Sequence, residues 1–127
     1  MKLRVGFVLL LLAFTACGSD TDGFAGTWTG EWVALADATD RGTSQWTVSE
    51  NGAVSGTDVD PGRGTTFTVV GTLDENGRLT TISTPGDGSG PASLEGTMTL
   101  DGDDGMSGVL VWGVEPPLSY RYTFTRD

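Results

Sequence analysis

Residues able to do chemistry are few in this chain and narrow in type. There is no histidine, the only lysine is Lys2, and the only cysteine is Cys17. The usual general bases and several nucleophiles are therefore missing, which argues against an enzyme. Carboxylates are plentiful, with 17 acids against seven Lys and Arg. A carboxylate-pair hydrolase of the glycosidase type is the one catalytic alternative. Nearly all of these acids, however, fall in apparent turns or on outward faces, so no catalytic residue is expected. Asp101-Gly102-Asp103-Asp104-Gly105 has some of the acid spacing of a calcium loop. Its glycine comes one place early and Trp112 stands where the closing bidentate Glu belongs, so it reads as a solvated hairpin tip. Neither a metal nor a cofactor is expected. That leaves the aromatics: Trp28, Trp32, Trp46, Phe67, Trp112, Tyr120 and Tyr122 either fill a core or line a pocket.

Cys17 takes its meaning from what precedes it. Lys2 and Arg4 form a positive start, and Val5 to Phe14 are almost continuously apolar. Such a run is too short to span a bilayer but suits the core of an export signal. Ordinary signal cleavage after Ala16 would want a small residue at position 14, and Phe14 is large. The stretch Phe14-Thr15-Ala16-Cys17 instead resembles the bacterial lipobox, with Phe where Leu is commonest. That resemblance implies that residues 1–16 are a removed signal peptide. It also implies that Cys17 becomes the first mature residue, carrying a diacylglyceryl thioether and an amide-linked acyl chain. A lone cysteine in an exported chain otherwise lacks a partner. Residues 17–23 then serve as a lipidated Cys and a flexible leash, on the order of 20 Å when extended. The expected location is the cell envelope: outside the cytoplasm and lipid-anchored to a membrane, the outer one in a Gram-negative cell.

Loss of Lys2 and Arg4 leaves five arginines against the 17 acids and moves the net charge from −10 to −12. A chain this acidic is not expected to bind nucleic acid or to lie flat on an anionic membrane. Residues 24–127 are long enough for one core and therefore one domain.

The elements that must position the aromatics are strands. From Phe24 onward, apolar residues alternate with Thr, Ser and charge, the period of a half-buried strand. Phe24, Trp28 and Trp32 share one face of the first run; Leu118, Tyr120, Tyr122 and Phe124 share one face of the last. The pattern predicts eight strands, near 24–35, 43–49, 53–58, 65–73, 78–83, 92–100, 106–114 and 118–126. Within 78–83, Leu79 and Ile82 fall on opposite faces, which implies a bulge or an edge. Ser49-Glu50-Asn51-Gly52, Asp74-Glu75-Asn76-Gly77 and Asp101–Gly105 are tight hairpin turns, because Asn-Gly and Asp-Gly supply positive φ. Longer connections are expected at Asp37–Gly42, Asp58–Gly64, Thr84–Pro91 and Glu115–Pro117.

An all-β, eight-stranded antiparallel up-and-down β-barrel is the expected fold, since closure removes sheet edges. Gly26, Gly30, Gly56, Gly71, Gly96 and Gly108 fall in phase with the inward apolar residues, where they permit tight coiling. Gly26-Thr27-Trp28 resembles the Gly-x-Trp signature of the calycins, the lipocalin and avidin type of barrel. Gln45–Thr57 is similar to an avidin second hairpin, and Tyr122–Arg126 to a closing strand. The resemblance implies that Arg126 lies across Trp28 to close one end. Where avidins carry a biotin-contacting Asn, this chain has Thr29-Gly30-Glu31, so biotin binding does not carry over.

In a meander of eight strands, both termini and the tight turns share one end, and the long loops share the other. Trp32, Phe67, Trp112 and Tyr120 lie toward the long-loop end, where a calycin opens. Acids there (Asp37, Asp40, Asp58, Asp60, Asp87, Glu115) outnumber Arg41 and Arg63, so a negative mouth favouring neutral or cationic visitors is expected. Two functions follow. The first is a tethered binder of a small apolar or aromatic ligand in the mouth. The second is a ligand-free envelope module contacting a protein partner, with Val109 and Val111 as an outward apolar strip. A cavity of ~300 Å³ or more near the long loops would favour the first.

Overall fold

The computed structural model describes residues 23–127, an all-β chain closed into one barrel. The expected signal peptide, Cys17 and most of the expected leash lie outside the described residues. Eight strands follow in order: β1 (Gly26–Ala34), β2 (Arg41–Val48), β3 (Ala53–Asp60), β4 (Thr65–Leu73), β5 (Arg78–Pro85), β6 (Ala92–Asp101), β7 (Gly105–Trp112) and β8 (Leu118–Arg126). Each pairs antiparallel with its sequence neighbour, and β1 pairs with β8 to close the ring. This is the up-and-down barrel expected from the alternation, and it is consistent with a calycin-like architecture.

Turn chemistry sets the register at one end. Gly52, Gly77 and Gly102 take positive φ of 89°, 86° and 73°. The Asp74 carboxylate accepts from the backbone N–H groups of Asn76 and Arg78 at 2.9 Å each, the geometry that makes Asp a turn starter. The first strand starts and the last strand ends here, since Gly26 sits opposite Val48 and Trp28 opposite Arg126. The longer connections gather at the opposite end.

Two strand expectations need correction. Residues 78–83 make neither a bulge nor an edge: β5 runs unbroken to Pro85 and is paired on both sides. Leu79, Thr81 and Ser83 face inward while Ile82 is half exposed. Small polar residues are tolerated inside because the Thr81 hydroxyl donates to the Leu94 carbonyl at 2.7 Å and so keeps its hydrogen bond. Secondly, β3 continues past residue 58. Asp58 and Asp60 are strand residues on the inward face, 4% and 2% exposed, and do not belong to a solvated loop.

The interior is filled largely by pairing large residues with inward glycines. Gly42 lies opposite Trp32, Gly56 opposite Trp46 and Gly30 opposite Phe124. A Cβ at Gly42 or Gly56 would meet a neighbouring strand's carbonyl and the indole itself at 2.7 Å or less. Each glycine therefore lets an aromatic ring lie flat over the neighbouring backbone. Volume left by the glycines is in this way taken up by the tryptophans.

Candidate functional site

The long-loop end holds one cavity, and it is built from all four aromatics singled out in the sequence. Trp32 from β1, Phe67 from β4, Trp112 from the end of β7 and Tyr120 from β8 line it. Trp32 meets Tyr120 edge to face at 5.4 Å between ring centroids. Phe67 meets Trp112 the same way at 5.8 Å. In such pairs one ring offers its edge and leaves its own faces free of that neighbour. The indole nitrogens of Trp32 and Trp112 are buried and have no hydrogen-bond partner among the described residues. Two unmet donors around one cavity stand out, because buried indole N–H groups normally find acceptors.

Three titratable residues, Asp58, Asp60 and Arg63, share the lining with Ser83, Leu94 and Tyr122. Asp58 sits deepest. Its Oδ1 accepts from Ser44 Oγ at 2.7 Å and Trp46 Nε1 at 2.8 Å, and its Oδ2 accepts from the Tyr122 hydroxyl at 2.7 Å. Since β3 and β8 are three strands apart around the ring, the Asp58–Tyr122 bond crosses the interior. Burial pushes the Asp58 carboxyl above its usual pKa, against the three hydrogen bonds that favour its charged form. The Tyr122 phenol is raised well above its usual value, by burial first and then by the Asp58 charge and hydrogen bond. With three acceptor positions committed to the protein, Asp58 organises the floor of the cavity and leaves little for a substrate.

Asp60 is nearer the opening. It ion-pairs with Arg63, whose backbone N–H also donates to its Oδ1 at 3.2 Å. The Arg63 side chain is 49% exposed, while that of Asp60 is 3% exposed. Partial burial works against the Arg63 charge, but the Asp60 hydrogen bond and the charges of Asp60 and Asp40 hold its pKa above the usual value. Tyr120, its pKa raised by burial and then by the Asp40 charge, is also within reach of Arg63. Arg63 is thus the half-exposed member of the lining, with Asp60 of β3 and Tyr120 of β8 as neighbours. The free volume beneath is about 30 Å³, room for a water or two.

This corrects the expected placement of two acids and one arginine. Asp58 and Asp60 do not contribute to an exposed acidic rim; they are inside. Arg41 is on the outer wall, 3.8 Å from Glu31, and takes no part in the mouth. Sequence reasoning missed both buried acids, although residues 54, 56, 58 and 60 share one phase with the buried Val54.

The opposite end is closed by Trp28 and Arg126. The guanidinium carbon of Arg126 stands 4.2 Å from the Trp28 ring centre. Arg126 also donates to the carbonyls of Gly23 (2.8 Å), Asp103 (2.9 Å) and Ala25, and the Trp28 indole donates to Phe24 at 2.8 Å. Among the described residues, no group of three or more His, Cys, Asp or Glu is placed to hold a metal ion. Compared with known proteins, the chain matches no family model and no curated sequence.

Proposed function

We propose that this is an exported lipoprotein, tethered through Cys17, whose barrel mouth binds one small, mainly apolar or aromatic ligand. The observation that carries the binding reading is the pair of buried, unpartnered indole N–H groups of Trp32 and Trp112 at an aromatic cavity. A ligand offering acceptor atoms would meet both donors, and its apolar body would pack against the aromatic walls. The 30 Å³ cavity is far smaller than the ~300 Å³ of a ready-made ligand pocket. Binding therefore requires a mouth side chain to move, and half-exposed Arg63 is the one free to do so. Native mass spectrometry of gently purified protein tests this reading. A bound small molecule supports it; an empty chain that also shows no tryptophan fluorescence response to a ligand panel overturns it.

The filled interior favours a second reading, a ligand-free envelope module that contacts a protein. Val70 and Ile82 are 55% and 50% exposed and directly opposite each other on the outer wall. The anchor is tested separately. Cys17→Ser should abolish labelling by a clickable fatty acid and leave precursor or released soluble domain. Equal labelling of both forms would sink the lipoprotein reading.

A further inference from the structure

We propose that the ligand of this mouth is a small organic cation carrying an oxygen acceptor, and that the Arg63 guanidinium holds its place in the free protein. The inference rests on the mouth-binding reading above and follows from space and charge together. Only about 30 Å³ is free, so an incoming molecule must displace a side chain, and first the lining one most open to solvent. That side chain is Arg63, and it is the positive partner of Asp60. Asp60 is 2% exposed, and both of its hydrogen bonds come from Arg63, one from the guanidinium and one from the backbone.

A neutral ligand that pushed the guanidinium away would strand a buried carboxylate. Breaking such a pair from one side is among the costlier changes a protein can suffer. A cationic ligand replaces the charge it removes. The walls suit the same occupant, because ammonium groups are attracted to the faces of Trp, Tyr and Phe. Trp32 and Tyr120 stand on the side that Arg63 itself reaches. The Trp32 indole, 4% exposed, and the Trp112 indole add two unmet donors, which call for an oxygen on the ligand. No other basic side chain lines the cavity.

Choline and its neutral carbon isostere, 3,3-dimethylbutan-1-ol, share shape and hydroxyl and differ in charge, so the pair isolates the proposal. Both would be titrated by calorimetry and tryptophan fluorescence into wild type, Arg63→Ala and Arg63→Gln, each checked for folding by circular dichroism. Choline should bind Arg63→Ala at least tenfold more tightly than wild type, and at least tenfold more tightly than the alcohol does. Asp60→Asn in the Arg63→Ala background should erase that preference. Should Arg63→Ala not fold, Arg63→Gln keeps the stem and a donor for Asp60 and carries the same comparison. Equal or tighter binding of the alcohol would overturn the cationic ligand while leaving the mouth as a binding site. No response to either probe by a folded variant, with no co-purified ligand, would overturn both readings.

Discussion

The two ends of the barrel use the same residue types to opposite effect. At the closed end, Trp28 is fully buried, its indole N–H is bonded, and Arg126 spreads its donors over three backbone carbonyls. At the mouth, the indole N–H groups of Trp32 and Trp112 meet no acceptor among the described residues, and the Arg63 guanidinium ion-pairs with one carboxylate, Asp60. Backbone carbonyls are fixed by the sheet, so the closed end has one arrangement. A side chain on a loop, as Arg63 is, can exchange its partner. The comparison teaches where this molecule puts stability and where it tolerates unmet polar groups, a division expected of a binding surface on a rigid scaffold.

The largest effect should separate the two ends most clearly. Trp28→Ala should cost ~3–5 kcal/mol, as for other fully buried aromatics. Trp112→Ala, partly exposed at the rim, should cost about 1–2 kcal/mol. Urea unfolding measures both, and equal losses would erase the distinction.

The next test concerns the polar group between the ends. Asp58→Ala leaves the buried donors of Ser44, Trp46 and Tyr122 without an acceptor and should cost about 2–4 kcal/mol. Asp58→Asn keeps one acceptor oxygen for Ser44 and Trp46 and should cost less than half as much. If the alanine variant were as stable as wild type, the cross-barrel bond would be idle.

Smaller still is the cap. Arg126→Ala should lose ~0.5–2 kcal/mol through cation–π attraction and packing. Arg121→Ala, on the exposed outer wall, should stay within ~0.5 kcal/mol of wild type. Equal, negligible losses would show that closure of this end does not need Arg126.

The smallest expected effect is a pH dependence. Burial raises the Asp58 pKa above 3.8 in the folded chain, so the fold favours its neutral form. Between the unfolded and folded values the native state holds more protons, and stability falls as pH rises. Asp58's contribution is complete below about pH 3.8 and is lost as pH climbs through the folded value. The difference between wild type and Asp58→Asn in urea midpoint should therefore favour wild type more at about pH 4 than at about pH 7. An unchanged difference would place the Asp58 carboxyl in solvent-like surroundings.

The fold was legible because alternation and turn chemistry speak to the same period. Asn-Gly at 51–52 and 76–77 marked the tight end, and the phase of Trp32, Phe67, Trp112 and Tyr120 put them at the other. The polar half of the site was not legible. Asp58 and Asp60 continue the inward phase of Val54 and Gly56, but Asp followed by Pro-Gly reads as a loop. Three donors that pay for burying Asp58 come from residues 44, 46 and 122, two other strands. No local pattern announces partners that distant. Ile82 misled for a related reason: an exposed apolar residue carries little information about facing.

The seam between β1 and β8 sets the barrel apart as a folding problem. Seven of its eight ladders join strands adjacent in sequence and can form as hairpins. The eighth brings Thr29 to Asp127, 98 residues away, with the Asp127 N–H donating to the Thr27 carbonyl at 2.9 Å. Loop-closure entropy makes that contact about 3 kcal/mol harder to form than a four-residue hairpin, on logarithmic scaling. The meander is then expected to assemble as an open, curling sheet and to close last along this line. The alternate amides of Thr29, Glu31 and Val33, which face β8 as the Leu35 N–H does, would exchange first when the sheet reopens, so the line where the first strand meets the last is also where the barrel comes apart.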